Sequence, residues 1–200
     1  MMNKLIIIAG PTGVGKTEIS LQLAEKIQGE IVSCDSMQIY VGMDIGSAKA
    51  DLEERTRVRH HMIDVVSPFD SFTVSDYKVL AEKAIDDILS RGRVPIMVGG
   101  TGLYIDAVIK DLSFTEGGND DDYRMHLEEL AIDKGREYVH ALLSDVDAVS
   151  AQNIHPNNLK RVIRAMEVFH VTGKPFSSFK DSGKLNPKYD IHYYYINRSR

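Results

Sequence analysis

Gly10-Pro11-Thr12-Gly13-Val14-Gly15-Lys16-Thr17 is a stretch suited to holding phosphate. Its glycines let successive backbone N–H groups turn inward, and a helix start adds the positive end of its dipole. Lys16 supplies a mobile positive charge and Thr17 a hydroxyl for a magnesium ion; each fixed position of G-x-x-x-x-G-K-S/T is matched. The flanks agree. An apolar run over residues 5–9 comes before, and Ile19, Leu23, Ala24 and Ile27 follow at helical spacing, giving strand, glycine loop, helix. A turn that merely joins strand to helix is the bland alternative, and these flanks argue against it. The loop does not say which di- or triphosphate it takes, since kinases, GTPases, ATPases and some transferases all use it.

A second group should stand beside the first. Residues 30–34 read as a short buried strand ending at Asp35, and ligands in open α/β sheets bind just past the carboxyl ends of strands. Asp35-Ser36-Met37-Gln38-Ile39-Tyr40 therefore falls near the phosphate loop. A carboxylate there binds magnesium through water, accepts a proton, or simply caps the next turn, and spacing alone leaves all three open. Residues 94–98 form another buried strand. It runs into Gly99-Gly100-Thr101-Gly102, which should bring Thr101 near the phosphates, unless the glycines serve only close strand–helix packing. Neither that strand nor Gly99 offers the aspartate that usually holds magnesium in ATP hydrolases. The carboxylate is Asp35 instead, which favours a small-substrate transferase over a motor or switch.

The elements that position these groups follow from pattern. The chain has 200 residues, a net charge of -5 and 43% hydrophobic residues, enough for one good core and a small appendage. Lys and Arg are not in excess, so composition does not announce nucleic acid, although a local basic patch stays compatible. A single cysteine, Cys34, excludes an internal disulfide and is expected to pack as a small apolar residue. A cytoplasmic setting is expected, with no membrane span and no signal peptide, because the chain leads straight into its first strand. A monomer is the expected state.

In chain order, Gly29 is expected to cap the first helix, and residues 41–59 read as a charged, glycine-containing loop over the site. His60 and His61 are adjacent on a strand, so they point to opposite faces and make a poor metal pair. Thr73 opens a long amphipathic helix that Gly92 stops. The character changes after Asp111: residues 116–122 form a polar linker, followed by helices over 123–136, 138–143 and 146–150. His155-Pro156-Asn157-Asn158 starts another helix. Leu159, Val162, Ile163, Met166 and Phe169 line its apolar face, and Lys160, Arg161 and Arg164 lie opposite. A solvated face is the plain reading of those cations; a grip on a nucleic-acid backbone is the sharper one. Residues 190–196 return to a strand. The expected architecture is α/β: a P-loop-type parallel sheet core over 1–111, a helical insertion domain over 112–184, and a return to the core over 185–200.

Six segments together carry a resemblance: the loop at 10–17, the run from Asp35 to Tyr40, Gly42-Met43-Asp44-Ile45-Gly46-Ser47-Ala48-Lys49, His60-His61-Met62-Ile63-Asp64, Gly99-Gly100-Thr101-Gly102-Leu103-Tyr104, and Arg161-Val162-Ile163-Arg164-Ala165-Met166-Glu167-Val168. In that order they resemble the bacterial tRNA dimethylallyltransferases, also called tRNA isopentenyltransferases, across essentially the whole chain. The resemblance implies transfer of a dimethylallyl group from dimethylallyl diphosphate to N6 of the adenosine just 3′ of a tRNA anticodon, with magnesium. It implies that Gly10, Pro11, Thr12, Gly13, Val14, Gly15, Lys16 and Thr17 bind the donor diphosphate, ATP being possible in the same loop, and that Thr17 helps hold the metal. It makes Asp35 the general base, and Lys16 and Thr101 its catalytic companions. Asp35, Ser36, Met37, Gln38 and Thr101, with Arg124, Lys160, Arg161, Val162, Ile163 and Arg164, become the tRNA contacts. Two departures stand out: Ala50 sits where the family often has proline, and the family continues past position 200 with further core helices and basic residues. A P-loop kinase of a small metabolite and an inactive tRNA-binding fragment are the alternatives.

Overall fold

A computed structural model describes residues 3–110, 120–179 and 184–197. The linker expected at 116–122 therefore lies outside the described residues up to Asn119. The chain divides into two compact units, Met1–Ser113 with Gly183–Arg200, and Phe114–Ser182.

The first unit is a parallel sheet in the order β3-β2-β4-β1-β5. Its strands are β1 (Asn3–Ala9), β2 (Gly29–Ser33), β3 (His60–His61), β4 (Val94–Gly99) and β5 (Tyr189–Tyr195). Strand β1 is apolar without alternation because both of its faces are covered. Leu5, Ile7 and Ala9 join one core with the helices α3 (Val74–Ser90) and α4 (Gly102–Ile109). Ile6 and Ile8 join the opposite core with Leu21 and Ala24 of α1 (Lys16–Ile27). Thr73 and Asp76 form a reciprocal capping box that starts α3. Tyr77 of α3 stacks on Tyr104 of α4 at 3.9 Å, and its hydroxyl donates to Ser33 O.

Two expectations need correction. The left-handed residue ending α1 is Gln28, at φ 56, and Gly29 instead opens β2. A Cβ there would meet Ile96 Cδ1 at 2.8 Å and Val94 O at 3.0 Å, so close packing of β2 on β4, rather than a cap, favours glycine. Within the loop expected over 41–59 there is also a short helix, α2 (Leu52–Arg57). It buries no side chain and so leaves no apolar stripe in the sequence; the readable signal was the capping box between Asp51 and Glu54.

Gly99 joins the ends of β2 and β4. A Cβ on it would lie 2.4 Å from Cys34 O, a backbone atom that no rotamer change can move. Gly99→Ala is expected to cost about 2 kcal/mol or more and to lower the thermal midpoint by several degrees. Thermal unfolding followed by circular dichroism checks this, and an unchanged midpoint would refute the close approach. Cys34 itself is fully buried, and burial pushes its thiol pKa well up, so it packs as an inert apolar residue.

The second unit is helical: α5 (Asp121–Lys134), α6 (Arg136–Val146), α7 (Ala148–Asn153) and α8 (Leu159–Thr172), closed by a short 3-10 turn at Phe176–Phe179. Leu127, Val139, Leu143, Val162, Ile163 and Met166 are central to its own core. Asp147 caps α7 through Ser150 N and also accepts from Ser177 N at 2.7 Å. Burial works against its charge, but these hydrogen bonds outweigh it and hold the carboxyl at about 2.

Candidate active site

The site lies in the first unit, at the carboxyl ends of the strands. Gly13 and Gly15 sit at φ 80 and φ 92, a backbone region that side chains disfavour. Helix α1 begins after Gly15 with no side-chain cap, leaving its first N–H groups for an anion. Lys16 folds back over the loop, its Nζ donating to Gly10 O at 2.8 Å and to Pro11 O at 2.7 Å. Burial lowers the pKa of this ammonium, opposed by the charge of Asp35.

A cavity of about 290 Å³ opens above the loop. Thr12, Gly13, Gly15, Lys16 and Thr17 line it together with Asp35 and Gln38. Asp35 Oδ1 accepts from Met37 N at 2.9 Å, so the capping role is present. The cap uses one oxygen and leaves Oδ2 without a protein partner among the described residues. Capping and chemistry therefore do not compete for this carboxylate.

Thr101, which the resemblance makes a companion of Asp35, does not line the cavity. It is the N-cap residue of α4, its N–H donates to Cys34 O at 3.1 Å, and its Oγ1 accepts from Ser36 N at 3.0 Å. It thus fastens the Asp35–Ser36 turn to the end of β4 and keeps its own O–H to donate. Gly10, Pro11, Val14, Ser36 and Met37 also lie outside the lining, Gly10 and Pro11 acting as acceptors for Lys16.

The wall facing the loop has fasteners that the sequence did not disclose. Gln38 accepts from Ser33 Oγ at 2.9 Å and donates to Ser47 O and Ala48 O. Lys49, whose side chain is 2% exposed, donates to Tyr40 O, Asp44 and Asp64 at 2.6–2.8 Å. Burial lowers its pKa, but hydrogen bonds to Asp44 and Asp64 outweigh that and keep it charged. Asp64 also receives Arg55 at 2.9 Å. The Gly-Ser-Ala-Lys run was legible as a loop over the site; its anchor, 15 residues further on, was not. The two histidines diverge as expected from a strand: His60 lines the cavity, and His61 lies 2.7 Å from buried Glu30, which also pairs with Arg91. The hydrogen bond from Arg91 acts most strongly on Glu30 and holds its carboxyl at about 2.

The basic candidates lie in the second unit. Lys160 and Arg161 are exposed on α8. Arg164, also on α8, and Arg124 of α5 meet at Glu167. Val162 and Ile163 are 0% and 4% exposed in the helical core. Their side chains are therefore not available as contacts, and they serve the basic face only by fixing its helix.

Several known proteins are similar to this chain. A family model described as IPP transferase matches residues 38–200. The full-length tRNA isopentenylpyrophosphate transferase of Bacillus halodurans is 48% identical over 88% of this chain and 58% of that one, with a TM-score of 0.57. The tRNA delta(2)-isopentenylpyrophosphate transferase of Staphylococcus epidermidis is 44% identical over 94% of this chain and 61% of its own, with a TM-score of 0.57. A eukaryotic dimethylallyltransferase acting on tRNA is 32% identical over 97% of this chain and 48% of its own, with a TM-score of 0.82. The chain thus spans less than two thirds of each of these relatives. With its parallel sheet, glycine loop and matching segment, the chain belongs to the IPP transferase family.

Proposed function

We propose that this chain carries the centre of a tRNA dimethylallyltransferase, passing the prenyl group of dimethylallyl diphosphate to N6 of the adenosine 3′-adjacent to the anticodon. The observation that carries the reading is the sharing of one cavity by Lys16 and Asp35. The donor's diphosphate lies on the N–H groups that open α1, with Lys16 against its charge. The adenosine amine attacks the prenyl carbon, the carbon–oxygen bond breaks, and its electron pair leaves with the diphosphate. Asp35 Oδ2 takes the amine proton. Because charge grows on the departing diphosphate, the loop and Lys16 supply most of the stabilisation; the base matters because an aryl amine is a poor nucleophile.

The residues fit magnesium. The ion keeps several waters and binds substrate phosphates, and Thr17 would offer it a hydroxyl on the cavity, while Asp35 Oδ2 stays with the amine proton. When bound, the ion supplies positive charge to the diphosphate oxygens. Thr101 orients the turn carrying Asp35. Lys160, Arg161, Arg164 and Arg124 engage tRNA phosphates.

The test is to incubate the protein with tRNA and either dimethylallyl diphosphate or ATP, then to digest the tRNA and weigh its nucleosides. N6-dimethylallyladenosine is the expected product. A phosphorylated small molecule without prenylated tRNA would establish the kinase instead, and tRNA binding without donor binding would reduce the chain to a binding module. For the basic face, Arg161→Ala with Arg164→Ala should weaken tRNA binding and cut the slope of log affinity against log salt by about 1–2. An equal slope in parent and variant would return both arginines to a solvated surface.

A further inference from the structure

Helix α8 buries an acid at the edge of its apolar stripe, one turn on from Ile163 and beside Arg164. Glu167 is 0% exposed, between buried Met166 and Val168. Its Oε1 accepts from Asp120 N at 2.9 Å and Arg124 Nε at 2.7 Å. Its Oε2 accepts from Arg124 Nη2 at 3.0 Å and Arg164 Nη1 at 2.5 Å. Both oxygens are thus taken up, by the start of α5 and by arginines from two helices. The arginine side chains remain 34% and 37% exposed, and Arg124 Nη1 also lies 3.6 Å from Asp121 Oδ1. One fully buried negative charge thus holds two partly exposed positive ones.

Burial alone would raise the pKa of Glu167, but the bonds from Arg124, Asp120 and Arg164 outweigh it and hold the group ionised. A buried carboxylate is a costly way to stabilise a helical bundle, since packed apolar residues often do as well. It does something an apolar residue cannot: it fixes two long side chains in one orientation before a ligand arrives. A flexible arginine loses rotamer freedom on binding phosphate; one already held loses less.

We infer that Glu167 is a positioning residue for tRNA, holding the guanidinium groups of Arg124 and Arg164 at a fixed spacing for backbone phosphates. This rests on the reading of α8 as the tRNA face, and the test separates the two.

Glu167→Gln preserves shape but raises net charge by one. Bulk electrostatics then calls for tighter tRNA binding, and positioning for weaker, so the sign decides. On the full chain, Glu167→Gln is expected to raise the Kd for tRNA about tenfold, leave the Kd for dimethylallyl diphosphate within about twofold, and have no further effect once Arg124 and Arg164 are both alanine. Binding as tight as the parent's, or tighter, overturns the proposal. If Glu167→Gln does not fold, Arg124→Lys with Arg164→Lys keeps both charges and loses the forked hydrogen bonds; equal tRNA affinity in that variant overturns the proposal as well. Arg161→Ala serves as the reference. If it weakens tRNA binding while Glu167→Gln does not, only the clamp falls; if neither has any effect, the tRNA face falls with it.

Discussion

Asp35→Asn is expected to slow prenyl transfer by about a hundredfold or more while leaving donor affinity within about twofold. The geometry makes this substitution unusually clean. Asparagine keeps an oxygen for Met37 N, so the turn after β2 retains its cap. It also leaves Thr101 free to hold Ser36 N as before. What disappears is the negative, proton-accepting oxygen that has no protein partner among the described residues. Single-turnover transfer on tRNA, beside donor binding by calorimetry, measures both halves. A variant as fast as its parent would remove Asp35 from the base role and leave it as a cap. There is a secondary effect with a definite sign. The Asp35 charge raises the Lys16 pKa against burial, so its loss should make donor binding weaken at a lower pH on the alkaline side.

Lys16→Met is expected to raise the Kd for dimethylallyl diphosphate about a hundredfold, with tRNA affinity little changed. A hydrogen bond from a charged group contributes about 1.5–3 kcal/mol, and each 1.4 kcal/mol is a factor of ten in affinity. Methionine keeps the length of the stem but cannot reach Gly10 O or Pro11 O as a donor, so the loop also loses an internal tie. Because burial already depresses the ammonium, the parent should lose donor affinity as pH rises through a range below the ordinary 10.5. The variant's affinity should be flat across that range. Donor affinity equal to the parent's would place the diphosphate elsewhere.

The sheet and its phosphate loop were legible because local rules carry them. A two-sided apolar strand, a glycine pattern and a helical period all lie within one stretch of chain, and the Asp35 turn follows from the next strand end. Helix α2 was hidden because it buries nothing and so has no period to read. Gln28 takes the left-handed position expected of Gly29, which instead opens β2 in close packing against Val94 and Ile96. The site's supports were the least legible. Lys49 depends on Asp64, Gln38 on the carbonyls of Ser47 and Ala48, and Glu167 on α5. Each of these pairings is made by tertiary packing, and no spacing rule announces it. The tRNA roles of the basic helix came from the resemblance, because cations on one helical face look the same whether they meet water or phosphate.

Strand β5 pairs with β1 along its whole length, from Asn3 with Tyr189 to Ala9 with Tyr195. Strand β1, next to the central strand β4, therefore waits for a partner made far later in the sequence. While a ribosome is still synthesising the helical unit, Leu5, Ile6, Ile7 and Ile8 have one open edge, which is the kind of surface that aggregates or recruits chaperones. Joining ends so distant in sequence carries a loop-closure cost and slows folding. The helical unit, whose contacts are more local, should reach its native form first, and docking of β5 should be the slow step of refolding.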